Sequence, residues 1–142
     1  MKRYRVILDT NVVLAAMRSQ TGASHRLLLT IGHPHWQSVI TPALMYEYEA
    51  VARRPGAASG LSPQDITNIL DMIYLESQRQ FVWFSWRPLS PDPGDDAILE
   101  AAIAGRCDYV VSFNERHLRM ARGFGIEVLK PIDLLKLIGE IK

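Results

Sequence analysis

The stretch "YRVILDTNVVLAAM", residues 4–17, runs from an apolar segment straight into a charge: Val6-Ile7-Leu8 is followed at once by Asp9. Arg5–Asp9 reads as a short buried strand, and Asn11 to about Arg18 as a helix that begins without a loop. Asp9 therefore stands at the carboxyl end of a strand, where a chain entering its own core would not normally place a carboxylate. The same alternation continues along the chain. Thr21-Gly22-Ala23 breaks the first helix, and Ser24 is expected to N-cap a second, about His25–Ile31. A strand is expected over Gln37–Thr41, then a helix from Pro42 to about Arg54. Ser62-Pro63-Gln64-Asp65 opens a long amphipathic helix to about Gln80, followed by a strand at Phe81–Ser85 and a turn over 88–94. Further helices are expected from Asp95 to near Gly105, over Glu115–Arg122 and over Pro131–Ile141. The intervening strands are Asp108–Ser112 and Ile126–Leu129. Strands alternating with helices predict an α/β fold with a mainly parallel sheet flanked by helices.

Composition sets the limits. The 142 residues suit one domain over 1–142, with 48% hydrophobic and 22% charged residues, both ordinary for a globular protein. No apolar run approaches membrane-spanning length, and no signal peptide is expected ahead of Asp9. The single cysteine, Cys107, excludes an internal disulfide and fits a reducing compartment, so a cytoplasmic location is expected. Net charge is +1, which gives no global signal for nucleic acid, although twelve of the sixteen Lys and Arg residues are arginine.

Two further carboxylates fall on apolar helix faces. Leu44, Glu47 and Val51 share one stripe of the helix from Pro42, whereas Glu49 points away from it. Asp95 heads the stripe Ile98, Leu99, Ala102 and Ile103, and Asp96 is turned from it by ~100°. An N-cap role for Asp92, Asp95 or Asp96 is the plainer alternative. Asp9, Glu47 and Asp95, drawn from three elements, would repel one another unless a cation sat between them. All-oxygen ligands point to Mg²⁺ or Mn²⁺.

These segments resemble the PIN domain family of metal-dependent ribonucleases, which includes the toxins of VapC-type toxin–antitoxin pairs. The likeness runs through "VILDTNVVLAAMRSQTGASHRLL", "ITPALMYEYEAVARRP", "PDPGDDAILEAAIAGRCDYVVSFNERHL" and "FGIEVLKPIDLL". It implies a PIN-like α/β/α sandwich in which Asp9, Glu47 and Asp95 are the catalytic, metal-binding acids. Thr10 and Asn11 would complete a "DTN" turn that orders Asp9, with Asp96 as an auxiliary ligand. One position departs from the pattern. Many members carry a fourth aspartate where this chain has Asn114, and others an acidic residue where it has His117. Asn114 can still bind a metal-bound water or a phosphate oxygen through its amide.

The resemblance implies hydrolysis of RNA phosphodiesters by an activated water, with Mg²⁺ or Mn²⁺ as cofactor and no covalent nucleophile. Ser112 then reads as a hydrogen-bonding support, since no His–acid pair accompanies it. Arg18, His25, Arg26 and Arg116 are candidates for the RNA backbone, as are Arg119 and Arg122, which a solvated helix face explains as well. His117 is a candidate phosphate contact or acid, with a surface histidine as the plainer reading. "FVWFSW", residues 81–86, admits base stacking but reads more simply as a strand with core-facing aromatics. The apolar excess of the 62–80 helix suggests a partner surface. The expected partners are a single-stranded or structured RNA, a small protein antitoxin and a second copy of the chain, with no membrane. The alternative is a catalytically weakened PIN module that binds RNA or a protein without cutting. A structure-specific DNA nuclease is a third possibility.

Overall fold

The computed structural model describes residues 2–82, 93–114 and 119–142, with the backbone alone at 93–96 and 119–120. Among the described residues, five parallel strands form one sheet: β1 (Tyr4–Leu8), β2 (Trp36–Ile40), β3 (Gln78–Arg79), β4 (Tyr109–Val111) and β5 (Glu127–Leu129). Their spatial order is β3-β2-β1-β4-β5. The connecting helices are α1 (Thr10–Arg18), α2 (Ala23–Leu29), α3 (Pro42–Ala52), α4 (Pro63–Glu76), α5 (Pro93–Ala104) and α6 (Pro131–Leu137), with a 3₁₀ segment at Arg119–Phe124. This is the expected α/β/α sandwich.

Val6, Ile7 and Leu8 of β1 and Val110 and Val111 of β4 are buried, as a parallel sheet covered on both faces requires. Trp36, Tyr48, Leu27, Leu44, Ile73, Leu99 and Leu134 fill the layers around it. From β1 the chain moves outward through β2 to β3, then crosses back over β1 to β4. Strand order thus reverses between β1 and β4, and in open parallel sheets the crevice at such a reversal, outside the carboxyl ends, is where ligands bind.

Local sequence explains most boundaries. Thr41 caps α3, its hydroxyl accepting from the Leu44 amide at 3.1 Å, and Pro42 occupies the first helical turn. Ser62 and Asp65, at the expected opening of the helix, form a capping box at α4, with reciprocal bonds of 3.1 and 3.0 Å. Three expectations are corrected. Gly22, not Ser24, is the cap residue of α2, and Ser24 lies buried inside the helix. The long helix ends at Glu76, and a strand forms at Gln78–Arg79, ahead of the expected Phe81–Ser85, of which residues 83–85 lie outside the described residues. Gln80 still donates to the Ile40 carbonyl (2.8 Å), but Phe81 lies beyond the ladder and is 63% exposed, not core-facing. Residues 83–92 and 115–118, which include the turn after that strand and the start of the expected 115–122 helix, lie outside the described residues.

Gly105, which follows α5, is a packing point. A Cβ there would stand 2.9 Å from Val39 Cγ1, 3.0 Å from the Ala101 carbonyl oxygen and 3.2 Å from Cys107 Sγ. Its carbonyl also accepts from Arg5 Nε at 2.7 Å, tying the end of α5 to β1. Gly105→Ala is expected to destabilise the fold by about 1–3 kcal/mol through overpacking. Urea unfolding followed by circular dichroism would read this as a lower midpoint.

Candidate active site

Asp9 stands between β1 and α1 and is 6% exposed. It is the cap residue of α1, and its main-chain carbonyl accepts from the Val12 and Val13 amides. An aspartate at that position usually turns its side chain onto the first-turn amides. Here it makes no such bond. Instead Asp9 Oδ2 accepts from the Ser112 hydroxyl at 2.6 Å, a short charge-assisted bond in a buried setting. The Asp9 amide donates to the Val111 carbonyl (2.9 Å), so backbone and side chain are both fixed to the end of β4.

Ser112 is the hub of this arrangement. Fully buried, it donates to Asp9 and accepts from the Asn114 amide at 2.9 Å. Asn11 lies alongside, with its Nδ2 3.5 Å from Ser112 Oγ and its Oδ1 3.5 Å from the Phe113 nitrogen. These contacts hold the segment after β4 against the start of α1. The buried Thr10 hydroxyl, by contrast, has no hydrogen-bond partner among the described residues, whereas Ser112 holds Asp9 directly.

Glu47 reaches the same region from α3. The buried row of that helix is Leu44, Tyr48 and Ala52, and Glu47 flanks it, half-buried, with its Oε2 oxygen buried. Glu49 faces solvent and pairs with Arg53 at 3.1 Å. Tyr48 joins the two acids. Its hydroxyl donates to the carbonyl of Leu8, the residue before Asp9. Burial pushes the pKa of this phenol well above its ordinary value, and the charges of Asp9, Glu47 and Cys107 push it further in that order. Both carboxylates therefore act on one hydroxyl, which stays protonated and remains a donor.

Residues 5–116 match the family model of the PIN domain. The chain belongs to the PIN domain family. A comparison with curated proteins gave no match. PIN domains have a nuclease-type fold, are generally hydrolases of nucleic acid, and typically use divalent metals. In this PIN domain the sheet order reverses between β1 and β4, and Asp9 stands at the carboxyl end of β1 beside that reversal.

The donor set fits a hard divalent cation. Asp9 and Glu47 offer carboxylate oxygens, the ligands such an ion takes, and both lie near enough to Tyr48 for their charges to act on its hydroxyl. Among the described residues no group of three His, Cys, Asp or Glu side chains comes together. Asp95 and Asp96 lie in the first turn of α5, and their side chains are outside the described residues, as are Arg116, His117 and the side chain of Arg119. Cys107 is buried, and burial raises its thiol to about 12, outweighing the opposing pull of Arg5, so it stands as a neutral thiol at neutral pH.

The remaining candidate cations sit elsewhere. Arg18 ends α1, about 13 Å along the helix from Asp9, and donates to the Ala57 carbonyl at 2.6 Å. His25 Nδ1 lies 3.0 Å from the Ala16 carbonyl near that same end, and Arg26 donates to the Glu140 carbonyl at 3.0 Å. These three side chains pin loops and the C-terminal segment; the structure does not bring them to Asp9. Arg122 is exposed on the 3₁₀ segment. Tyr48 is the site residue that sequence reasoning missed. The spacing Leu44–Tyr48–Ala52, as regular as the stripe through Glu47, is the signal that could have found it. Among the described residues, no helix is long and apolar enough to cross a membrane.

Proposed function

We propose that this PIN domain is a divalent-metal-dependent endoribonuclease and the toxin of a type II toxin–antitoxin pair. The observation that carries the nuclease reading is the treatment of Asp9: a buried carboxylate drawn off its helix-capping position, held by Ser112, beside a second acid. Asp9, Glu47 and Asp95 would hold Mg²⁺ or Mn²⁺, with Asp96 and Asn114 as further ligands. Bound there, such an ion supplies charge stabilisation at the phosphoryl oxygens and lowers the pKa of a coordinated water. The chain's own residues do the rest. Ser112 fixes the rotamer of Asp9, Tyr48 sets the spacing between β1 and α3, and one of the three acids accepts the proton of the attacking water. Arg116 and His117 are proposed to contact the RNA backbone. The toxin role rests on the family likeness, as do a small antitoxin covering the acids and a homodimer.

The test is cleavage of a mixed panel of single-stranded and hairpin RNAs by antitoxin-free protein in Mg²⁺ or Mn²⁺. Endonucleolytic fragments that vanish with EDTA are expected. Intact RNA in every lane, with folded protein, would overturn the ribonuclease reading and leave binding without cleavage.

A further inference from the structure

At the carboxyl end of β2 and β3 the chain leaves a groove of about 290 Å³, close to the lower end of the ~300–1,000 Å³ usual for small-molecule pockets. Its floor is apolar, built from Ile40, Pro42 and Met45. Its walls are aromatic: Tyr74 from the last turn of α4, 46% exposed, and Phe81 just after β3. At the mouth the Arg79 guanidinium lies 4.7 Å from the centre of the Tyr74 ring and donates to the Tyr74 carbonyl at 2.9 Å. An arginine over an aromatic ring, beside an apolar slot, pairs a stacking surface with a cation for phosphate.

The groove also continues toward α5. Thr41, Pro42 and Phe81 line both it and a second cavity, which continues to Ala97 and Glu100 on α5, the helix that carries Asp95. Both features open at the carboxyl edge of one sheet, and β3 lies two strands from β1, about 10 Å away. We propose that this groove is a nucleobase subsite, in which Phe81 and Tyr74 stack a base next to the cleaved linkage and Arg79 meets its phosphate. The proposal rests on the ribonuclease reading above and names how that enzyme would grip single-stranded RNA. Stacking on exposed aromatics suits single strands, whose bases are free to splay outward, and it tolerates any sequence.

Fluorescence anisotropy of a labelled single-stranded 12-nucleotide RNA, in EDTA so that nothing is cut, tests it. Phe81→Ala and Tyr74→Ala are each expected to raise Kd by about 5- to 150-fold, the range for loss of one stacked base. An abasic strand of the same length should bind the wild type as weakly as the variants bind the normal RNA. Both side chains are solvent-facing, so native melting temperatures are expected to accompany the loss. Unchanged Kd in both variants, equal binding of the abasic strand, or no RNA binding by the wild type would overturn the subsite. Unchanged Kd together with a shift from dimer to monomer in sedimentation would assign the groove to contact between copies instead. Cleavage of the same RNA in Mn²⁺ is scored separately. Lost binding in the variants with no cleavage by wild type keeps the groove and sinks the nuclease reading.

Discussion

Asp9→Asn is expected to lower metal-dependent RNA cleavage by at least about 100-fold, since even residues outside a metal's direct ligands cost 10–100-fold when removed. The substitution keeps the size of the side chain, and the amide oxygen can still accept from Ser112, which now donates at 2.6 Å. What it removes is charge. Asp9 and Glu47 both act on the Tyr48 hydroxyl, so without a cation they oppose each other. In EDTA the variant should therefore melt at the same temperature as the wild type or higher. Added Mn²⁺ should raise the wild-type melting temperature, by the equivalent of about 2.7 kcal/mol at a hundredfold excess over Kd, and leave the variant unmoved. These two readouts separate a ligand from a structural residue. A variant that Mn²⁺ stabilises as well as the wild type would remove Asp9 from the metal site even if activity had been lost.

How much of this was visible in the sequence depended on how strongly each feature shaped local patterning. Val6-Ile7-Leu8 was legible because a parallel strand covered on both faces is an unbroken apolar run, and an acid directly after it stands out. The Ser62–Asp65 box was legible because capping is local chemistry. β3 was not, for the opposite reason. It is an edge strand of two exposed polar residues, Gln78 and Arg79, held by its pairing to Val39 and Ile40. Phe81 and Val82 carry the stronger strand propensity, yet tertiary pairing set a strand before them. Glu47 was located through a stripe that includes Val51, whereas the helix is rotated so that Tyr48 and Ala52 face inward. Neighbouring residues on a helix differ by ~100°, so the acid was brought near the site while the buried tyrosine beside it passed unread. The Ser112–Asp9 bond joins residues 103 positions apart, which no local pattern encodes. Only the placement of both at strand ends hinted at it.

Tyr48→Phe is expected to weaken fold and site together. The ring is 1% exposed and its packing would survive, so the loss is confined to the hydroxyl that donates to the Leu8 carbonyl. Removing that donor leaves a buried strand-end carbonyl without this partner, at a cost of about 1–3 kcal/mol in urea unfolding. The same bond ties α3, carrying Glu47, to the last residue of β1, after which Asp9 follows. Tyr48 is thus a positioning residue: its hydroxyl is engaged by the Leu8 carbonyl, and that bond sets where α3 stands against the end of β1. Without it the Mn²⁺ concentration for half-maximal cleavage should rise by about 10–100-fold, with the rate at saturating metal largely recovered. A purely packing role would give a different pattern, lower stability with an unaltered metal dependence. The alkaline behaviour points the same way. A phenol whose pKa is raised in the folded state contributes stability that is complete below the unfolded value and is lost as pH rises toward the folded one. The wild type should therefore lose stability more steeply than Tyr48→Phe above about pH 10, the ordinary phenol value. Convergence of the two stability curves in that range would tie the effect to the Tyr48 hydroxyl, and parallel curves would place it elsewhere.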